Sequence, residues 1–596
     1  MLSPESRAVA IDFLRPPEGY ALDKAVLTTY TLNLETLLAL PLAVFAHSDG
    51  GVEEVLSDPL LLLEALREAG DRVHVFVDEV GTAIPGSERS LYAMLEASVH
   101  PVRAPNGGAF HPKVWIARFL REGEPPLIRV SVLSRNLTFD RSWDIGLTTE
   151  ATPEGKRRRR ESRELGDLIR LMPGITRQPL TEQFLAVLES LATGVERCSF
   201  PAPEGFNETV EFTVLGAGAR KRSFWQPLEW GSGLLAISPF LTRGAADALA
   251  ESSTGDRILI SRQDQLDALP EASIAKWNRV FVLSDAAASE LDDASSNQPD
   301  GLHAKVVALE HAKRATWFVG SANLTTSAYK HLNVEVMAAV TGGRWKRGIK
   351  KFLESGFVNL CEEYRRSGSE EEAADVADAK AKLESAQQAL LADGALRIEC
   401  VSDDAQWRLR LVGEVNLPAG IEVHVWPVSL SELSARALEL PVEWILPAER
   451  LTAFVAFRIS KPGIKVDDIR MTLLLAASGL PENRMNHLLR SLIDSPERFL
   501  QFLRALLGGL DGLVDWSQGN GDHASEATFD WSNGLRAESL LEDLVRIASR
   551  DPERLEPVRR LIDDLRKTED GRLVVKDDLL AVWNAVDAAV GKRKEA

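Results

Sequence analysis

The chain reads as α/β: two α/β/α sandwich repeats forming a pseudo-dimer, followed by a β-rich module and a C-terminal helical domain. Three observations predict this. The pairs His111-Pro-Lys113 and His303-Ala-Lys305 recur with matching surroundings. Compact apolar runs alternate with helical patterns through the first 355 residues, the rhythm of layered α/β units. Beyond them the apolar period changes, first to that of strands and then to that of amphipathic helices.

In chain order, Ala25–Tyr30 and Leu234–Ser238 are strand-like runs that lead into helical patterns. The run Leu56–Leu63 carries Ser57, Asp58 and Pro59 and reads as a buried helix start. Asp71–Val77 pairs with Asp256–Ile260, each a compact buried strand. The two His-x-Lys strands follow, then Leu127–Val132 and Thr316–Val319. Small-polar runs come next, Leu133-Ser134-Arg135-Asn136 and Gly320-Ser321-Ala322-Asn323, and each copy ends in an acid, Asp144 and Glu335. The offset between copies is nearly constant: 185 residues for Asp71/Asp256, 192 for the histidines, 187 for the asparagines and 191 for the acids. Such regularity marks an internal duplication. Ser369–Asp393, rich in Ala, Glu and Lys, reads as a solvated helical connector. Strand patterns fill Leu396–Val401, Trp407–Val412, Ile421–Pro427 and Ala453–Phe457; helical ones dominate from Asn486, as in Leu488–Leu507 and Leu540–Ala548, with a loop at Gly519–Ala527. The expected units are 1–195 and 196–360 for the repeats, 361–394 for the connector, 395–475 for the β-rich module and 476–596 for the helical domain.

Composition bounds the function. At 596 residues the chain is long enough for three or four domains, with 45% apolar and 26% charged residues. Met1–Glu5 has no basic region leading into an apolar one, and no apolar run reaches a membrane span. Three scattered cysteines (Cys198, Cys361, Cys400) argue against a structural zinc site or a disulfide framework and fit a reducing cytoplasm. A net charge of −19 would argue against a polyanionic partner, but the placement of the charge points the other way. From Pro101 to Arg163 there are 13 Lys and Arg against 7 Asp and Glu, and from Gly301 to Lys351 there are 9 against 2. The two motif windows thus carry +13, leaving −32 for the rest.

Two histidines, two lysines and two asparagines suit one symmetric site for a phosphodiester. Without a metal such a site needs a nucleophile, an acid for the leaving oxygen, and fixed positive charge around the non-bridging oxygens. An imidazole fills either of the first two roles near neutral pH. On a strand, residues i and i+2 share a face, so each His and Lys point into one pocket. Lys113 and Lys305 supply charge, Asn136 and Asn323 supply amide donors, and Asp144 or Glu335 would hold an imidazole in one tautomer. A pseudo-twofold axis would set His111 and His303 on opposite sides of phosphorus.

The pattern His303-Ala-Lys305-x4-Glu310, then Gly320-Ser321-Ala322-Asn323, then Asn333-Val-Glu335, resembles the phospholipase D superfamily, also called the HKD family. The first copy is similar, with Arg118 where the motif acid falls and Leu133 where the glycine falls. Over roughly residues 20–355 the resemblance implies a bilobal phospholipase D-like fold. It also implies catalysis through a covalent phosphohistidine with no metal or other cofactor. His111 would attack and His303 would protonate the leaving oxygen; Lys113, Asn136, Asp144, Lys305, Ser321, Asn323 and Glu335 complete the candidate catalytic set.

A second repeated element follows the acids: Lys156-Arg157-Arg158-Arg159-Arg160, and Arg344-Trp345-Lys346-Arg347 with Lys350-Lys351. Arg157 and Arg344 are 187 residues apart, the asparagine offset. Arg157, Arg158, Arg159, Arg344, Lys346 and Arg347 are therefore candidates for phosphate-backbone contacts beside one cleft. Trp115, Trp143 and Trp317 read as core, His331 as structural, and His311-Ala-Lys313 as a turn. The leading expectation is a nuclease acting on DNA ahead of RNA. Alternatives are a phospholipase or phosphatidyltransferase, and a nucleic-acid-binding assembly protein with a decayed site. Multidomain bacterial members of the resembled family with this layout often act in restriction or phage defence, so an ATPase or helicase is the expected partner. A homodimer through the C-terminal regions, and no membrane, complete the expectation.

Overall fold

The computed structural model describes residues 13–45, 70, 72–138, 142–207, 209–218, 223–227, 230–283, 301–354, 357–367, 374–403 and 406–481, with separate positions between 484 and 594. Met1–Glu5, Leu56–Leu63 and Gly519–Ala527 lie outside the described residues, as do most positions of Leu488–Leu507 and Leu540–Ala548.

The first sheet has six strands: β1 (Ala21–Thr29), β2 (Val73–Asp78), β3 (Val99–Val102), β4 (Val114–Leu120), β5 (Leu127–Leu133) and β6 (Gly146–Ala151), in the order β3-β2-β1-β4-β5-β6. After β7 (Glu211–Leu215) the second sheet adds β8 (Gly231–Ile237), β9 (Ser253–Ser261), β10 (Arg279–Leu283), β11 (Val306–His311), β12 (Arg314–Gly320), β13 (Glu335–Gly343) and β14 (Cys361–Glu363). Its order is β14-β10-β9-β8-β11-β12-β13-β7. The central six strands of this sheet repeat the order of the first. In both, three parallel strands meet a three-stranded antiparallel run at the strand that opens the repeat, β1 or β8.

Alternation along the strands divides the apolar side chains between two faces. One face of each sheet contributes to a single shared core: Val26, Phe76, Ile116 and Val130 from the first, Ile237, Ile260, Val306, Trp317 and Val336 from the second. The helices Arg163–Ile175 and Glu182–Val195 complete it with Leu168, Ile169, Leu188 and Leu191. On the second sheet's other face, Ala236, Leu259 and Phe318 pack against the helix Arg243–Ala250.

Leu27 faces Val75 and Trp115, and Ala236 faces Leu259 and Val307, so Val75 corresponds to Leu259. Asp71, paired with Asp256 on the sequence, lies outside the described residues. One correction concerns unit 361–394. Its first residues, Cys361–Glu363, form β14 and belong to the second sheet. The helix Ala374–Leu390 is not solvated all round: Ala379, Leu383, Ala386 and Leu390 are buried. Its alanine-rich sequence hides a narrow stripe, and Leu383, Ala386 and Leu390 join the core of the β-rich module. That module holds two four-stranded sheets, including all four expected strands together with Val442–Leu446 and Ile469–Leu474. It docks on the first repeat, where Trp426 and Phe454 share a core with Leu27 and Val75. C-terminal positions including Leu544, Leu565 and Trp583 enter the same core.

Leu133 and Gly320 occupy equivalent strand ends with opposite solutions. Leu133 lies opposite Gly146, whereas Gly320 lies opposite Met337. A Cβ on Gly146 would come 2.8 Å from Leu133 Cδ2, and one on Gly320 would come 2.1 Å from the Val336 carbonyl oxygen. The large residue has changed strands, and each pair keeps one glycine. Gly320→Ala is therefore expected to cost about 1–3 kcal/mol through overpacking. A fall in the thermal midpoint followed by circular dichroism checks this; an unchanged midpoint counts against so close an approach.

Candidate active site

The His-x-Lys segments lie just before β4 and β11 rather than within them. They are extended, but their backbone bonds run to the other repeat, which a reading of either copy alone does not anticipate. His111 N donates to Val334 O at 3.0 Å and Val334 N to Ala109 O at 3.0 Å. Symmetrically, His303 N donates to Trp143 O and Trp143 N to Gly301 O, both at 3.0 Å. Backbone donors next to one repeat's histidine are thus satisfied by the residue preceding the other repeat's acid.

This exchange crosses the side chains. His111 Nδ1 is 2.8 Å from Glu335 Oε2, and His303 Nδ1 is 2.9 Å from Asp144 Oδ1. Each carboxylate is held by its own repeat. Ser321 Oγ donates to Glu335 Oε2 at 2.5 Å, and Asn333 Nδ2 donates to Oε1 at 3.1 Å. Ser134 Oγ donates to Asp144 Oδ1 at 2.7 Å, and Ser142 Oγ donates to Oδ2 at 3.0 Å. Ser142 and Asn333 stand 191 residues apart, the acid offset, and Ser134 and Ser321 stand 187 apart, the asparagine offset. Ser134, Ser142 and Asn333 thus join the candidate site, although reasoning from side-chain chemistry passes over them; their constant offsets are the signal that picks them out.

In the neutral imidazole the Nδ1 that faces a carboxylate is the nitrogen that carries the proton, and Nε2 is left with its lone pair. Lys113 Nζ lies 2.9 Å from His111 Nε2. Lys305 Nζ donates to His303 O at 2.6 Å. Both lysine side chains are buried. His111 has its pKa lowered to about 4: burial is the main cause, the charges of Lys113 and Lys305 add to it, and Glu335 opposes it. His303 is lowered by burial and by both lysines, against the pull of Asp144. Each imidazole therefore feels the other repeat's lysine. Burial pushes Asp144 up, yet bonds from His303 and Ser134 leave its carboxyl below the ordinary value.

Among the described residues, two further groups stand beside His111 and not beside His303. Tyr30 tilts over its ring at 5.2 Å between centroids. Asp78 accepts from Phe110 N at 2.7 Å, and burial raises its pKa to about 6. Register puts Arg262 at the position in the second repeat that corresponds to Asp78. Asn136 Oδ1 accepts from Thr31 N at 3.3 Å, while the buried Oδ1 of Asn323 has no partner among the described residues.

The basic runs are not brought to this site. Glu335 begins β13 and Arg344 follows its end, nine residues on, which in an extended strand is roughly 30 Å. Arg157, Arg158 and Arg159 likewise lie beyond the far end of β6, whose near end adjoins Asp144. Several are committed locally. Arg158 pairs with Asp167 and with Glu196 at 2.8 Å, Arg159 with Glu154 at 2.7 Å, and Arg344 with Glu310 at 2.7 Å. Arg347 donates to Glu204 O at 2.8 Å; Arg157 and Lys346 are exposed. Equal offsets place both runs after the last strand of their repeats, but say nothing of which end of that strand faces the histidines.

Glu310 and Arg118 brace the scaffold: Glu310 also accepts from Ile349 N, and Arg118 pairs with Asp23. His331 Nδ1 accepts from Gly216 N, Trp115 and Trp317 are buried, and His311-Ala-Lys313 turns between β11 and β12 with Ala312 at φ 51°. Trp143 is half-buried against Phe357. Among the described residues no group of three or more His, Cys, Asp or Glu is arranged to hold a metal ion, and no described helix is long and apolar enough to cross a membrane.

No protein-family model and no curated protein matches this sequence. Solved structures do. A yeast tyrosyl-DNA phosphodiesterase structure is 11% identical, with 58% of this chain and 86% of that chain covered and a TM-score of 0.34. A second structure of the yeast enzyme gives 11%, 57%, 86% and 0.32. Polyphosphate kinase from Porphyromonas gingivalis is 13% identical over 61% of this chain and 48% of that chain, with a TM-score of 0.30.

The field of Glu335 raises the pKa of His111 against burial, so Glu335→Gln should drop it further. With histidine-selective isotope labelling, the parent His111 resonance is expected to show no proton uptake from neutral pH down to about 5. An imidazole that titrates near its ordinary value would contradict the buried, lysine-flanked environment.

Proposed function

We propose that this chain is a metal-independent phosphodiesterase of the phospholipase D type, its two repeats acting as a pseudo-dimer, and that it is a nuclease acting on DNA ahead of RNA. One observation carries the reading: two imidazoles, each oriented through Nδ1 by a carboxylate of the opposite repeat, beside two buried lysines. That constellation holds an unprotonated Nε2, a proton donor and fixed positive charge together. A decayed binding protein would have no need of both crossed pairs.

In the proposed reaction His111 Nε2 attacks phosphorus and forms the P–N bond. The P–O bond to the leaving group breaks, and protonated His303 gives its Nε2 proton to that oxygen. Lys113, Lys305 and the Asn136 and Asn323 amides stabilise the charge on the non-bridging oxygens. Water then attacks the phosphohistidine while neutral His303 takes its proton, the P–N bond breaks, and both imidazoles return to their starting states. Glu335 and Asp144 keep the tautomers throughout. A nucleic-acid substrate, a polyanion that extends beyond the reacting phosphate, is favoured by the +13 of the two motif windows in a chain with net charge −19, although the runs Lys156–Arg160 and Arg344–Lys351 stand away from the site. A restriction or phage-defence setting beside an ATPase rests on domain layout alone.

Acid quenching of the enzyme with a radiolabelled oligonucleotide in EDTA is expected to trap phosphoprotein in the parent and none in His111→Ala. Both His111→Ala and His303→Ala should lower kcat by roughly 10²–10⁴-fold. Unchanged cleavage in both variants would refute the reading.

The pH profile has a definite sign. Attack needs His111 unprotonated, so activity is lost as pH falls through about 4. Leaving-group protonation needs protonated His303, so activity is lost as pH rises through its lowered value, below 6.5. The expected kcat/KM profile is bell-shaped with an acidic optimum, and Asp144→Asn should move its alkaline limb lower. An optimum on the alkaline side would contradict these assignments.

A further inference from the structure

Four strand ends of the second sheet emerge on one edge, away from the histidines. β8, β11, β12 and β13 are consecutive neighbours. His311 pairs with Arg314 and Arg314 with Gly343, while His311 Nδ1 lies 3.2 Å from Trp230 O and Arg344 N donates to Lys313 O at 2.8 Å. Trp230, the β11–β12 turn and the Arg344–Arg347 segment therefore form a row about 14 Å long, at ~4.8 Å per strand. Its two ends are indoles that folding leaves out of the core: Trp230 is 63% exposed and Trp345 is 92% exposed. Between and beside them stand Lys313, Arg314, Lys346 and Lys350, all exposed and in no ion pair among the described residues.

Leaving two tryptophans in water is costly, since each forgoes the burial that makes its side chain favourable to fold. Nothing in the catalytic geometry uses them. His303 lies eight residues from His311 along an extended segment, which is roughly 26 Å, so the row does not touch the reacting phosphate. Flat aromatic faces at both ends of a cationic row match single-stranded nucleic acid, whose bases stack while its phosphates pair with lysine and arginine. An acidic polypeptide would satisfy the cations and leave both indoles unused.

We propose that this edge is a second nucleic-acid contact, remote from the phosphodiester site, which holds a single strand by stacking on Trp345 and Trp230 and by phosphate pairing with the cations between them. The proposal goes beyond the catalytic reading and stands without it, because binding is measured independently of cleavage.

Fluorescence anisotropy with labelled oligothymidylate tests it on the full chain carrying His303→Ala, so that cleavage is slow on the timescale of the measurement. Adding Trp345→Ala is expected to weaken binding about tenfold, and adding Trp230→Ala as well to weaken it further. Lys313→Gln with Arg314→Gln should lower the slope of log affinity against log salt by roughly 1.4. In an otherwise unaltered chain, Trp345→Ala should leave turnover of a small chromogenic phosphodiester unchanged, which also reports intact folding. Binding of the double tryptophan variant within twofold of its parent would overturn the proposal. So would polyglutamate competing as well as the oligonucleotide, or failure of the parent to bind at all. Tryptophan-dependent binding in a chain with no detectable cleavage would uphold this proposal while refuting the catalytic one.

Discussion

The crossed hydrogen bonds between His111 and Glu335, and between His303 and Asp144, are the constraint on which the rest of the structure depends. Neither repeat contains both partners of an oriented imidazole. Each supplies the histidine of one pair and the acid of the other, together with the serine that fixes its own acid. Burying a carboxylate as deeply as Glu335, at 0% exposure, is tolerable only when its oxygens are satisfied. Here the bonds come from His111, Ser321 and Asn333. The shared core and the paired backbone bonds at Val334 and Trp143 keep these bonds in register.

Within that symmetry the two imidazoles differ. His111 is the more enclosed, with Tyr30 against its ring and Asp78 holding the adjacent Phe110 amide, and register offers Arg262 at the corresponding place in the second repeat. Deeper burial keeps His111 unprotonated over a wider pH range, as the attacking role proposed for it requires, and His303 is the less enclosed of the two, as the proton-donating role proposed for it requires. The Leu133/Gly146 and Gly320/Met337 pairs show the same divergence under a fixed geometry.

The C-terminal regions are bound into the first repeat rather than appended to it. Glu96 Oε1 accepts from the Thr452 hydroxyl and the Ala453 amide at 2.9 and 2.8 Å, and Thr472 N donates to Thr82 O at 2.7 Å. Together with the helix Leu34–Phe45, these regions pack on the outer face of the first sheet. The second sheet's basic edge at Trp230 and Trp345 receives no such cover among the described residues.

Much of this was legible in the sequence, because duplication leaves a record that survives divergence. Constant offsets between His111 and His303, Asn136 and Asn323, and Asp144 and Glu335 reveal two copies of one unit, and alternating apolar periods reveal its layers. The chemistry of the residue types pointed to a phosphodiester. Tertiary structure alone decided which acid serves which histidine, since hydrogen bonds between repeats leave no trace in the spacing within either. It also decided that the arginine runs stand at the far ends of β6 and β13. A sequence offset is blind to direction along a strand, whereas an extended backbone advances roughly 3.3 Å with every residue. The hydrophobic stripe of Ala374–Leu390 was hidden for a related reason: small alanines become core only when another surface arrives to cover them.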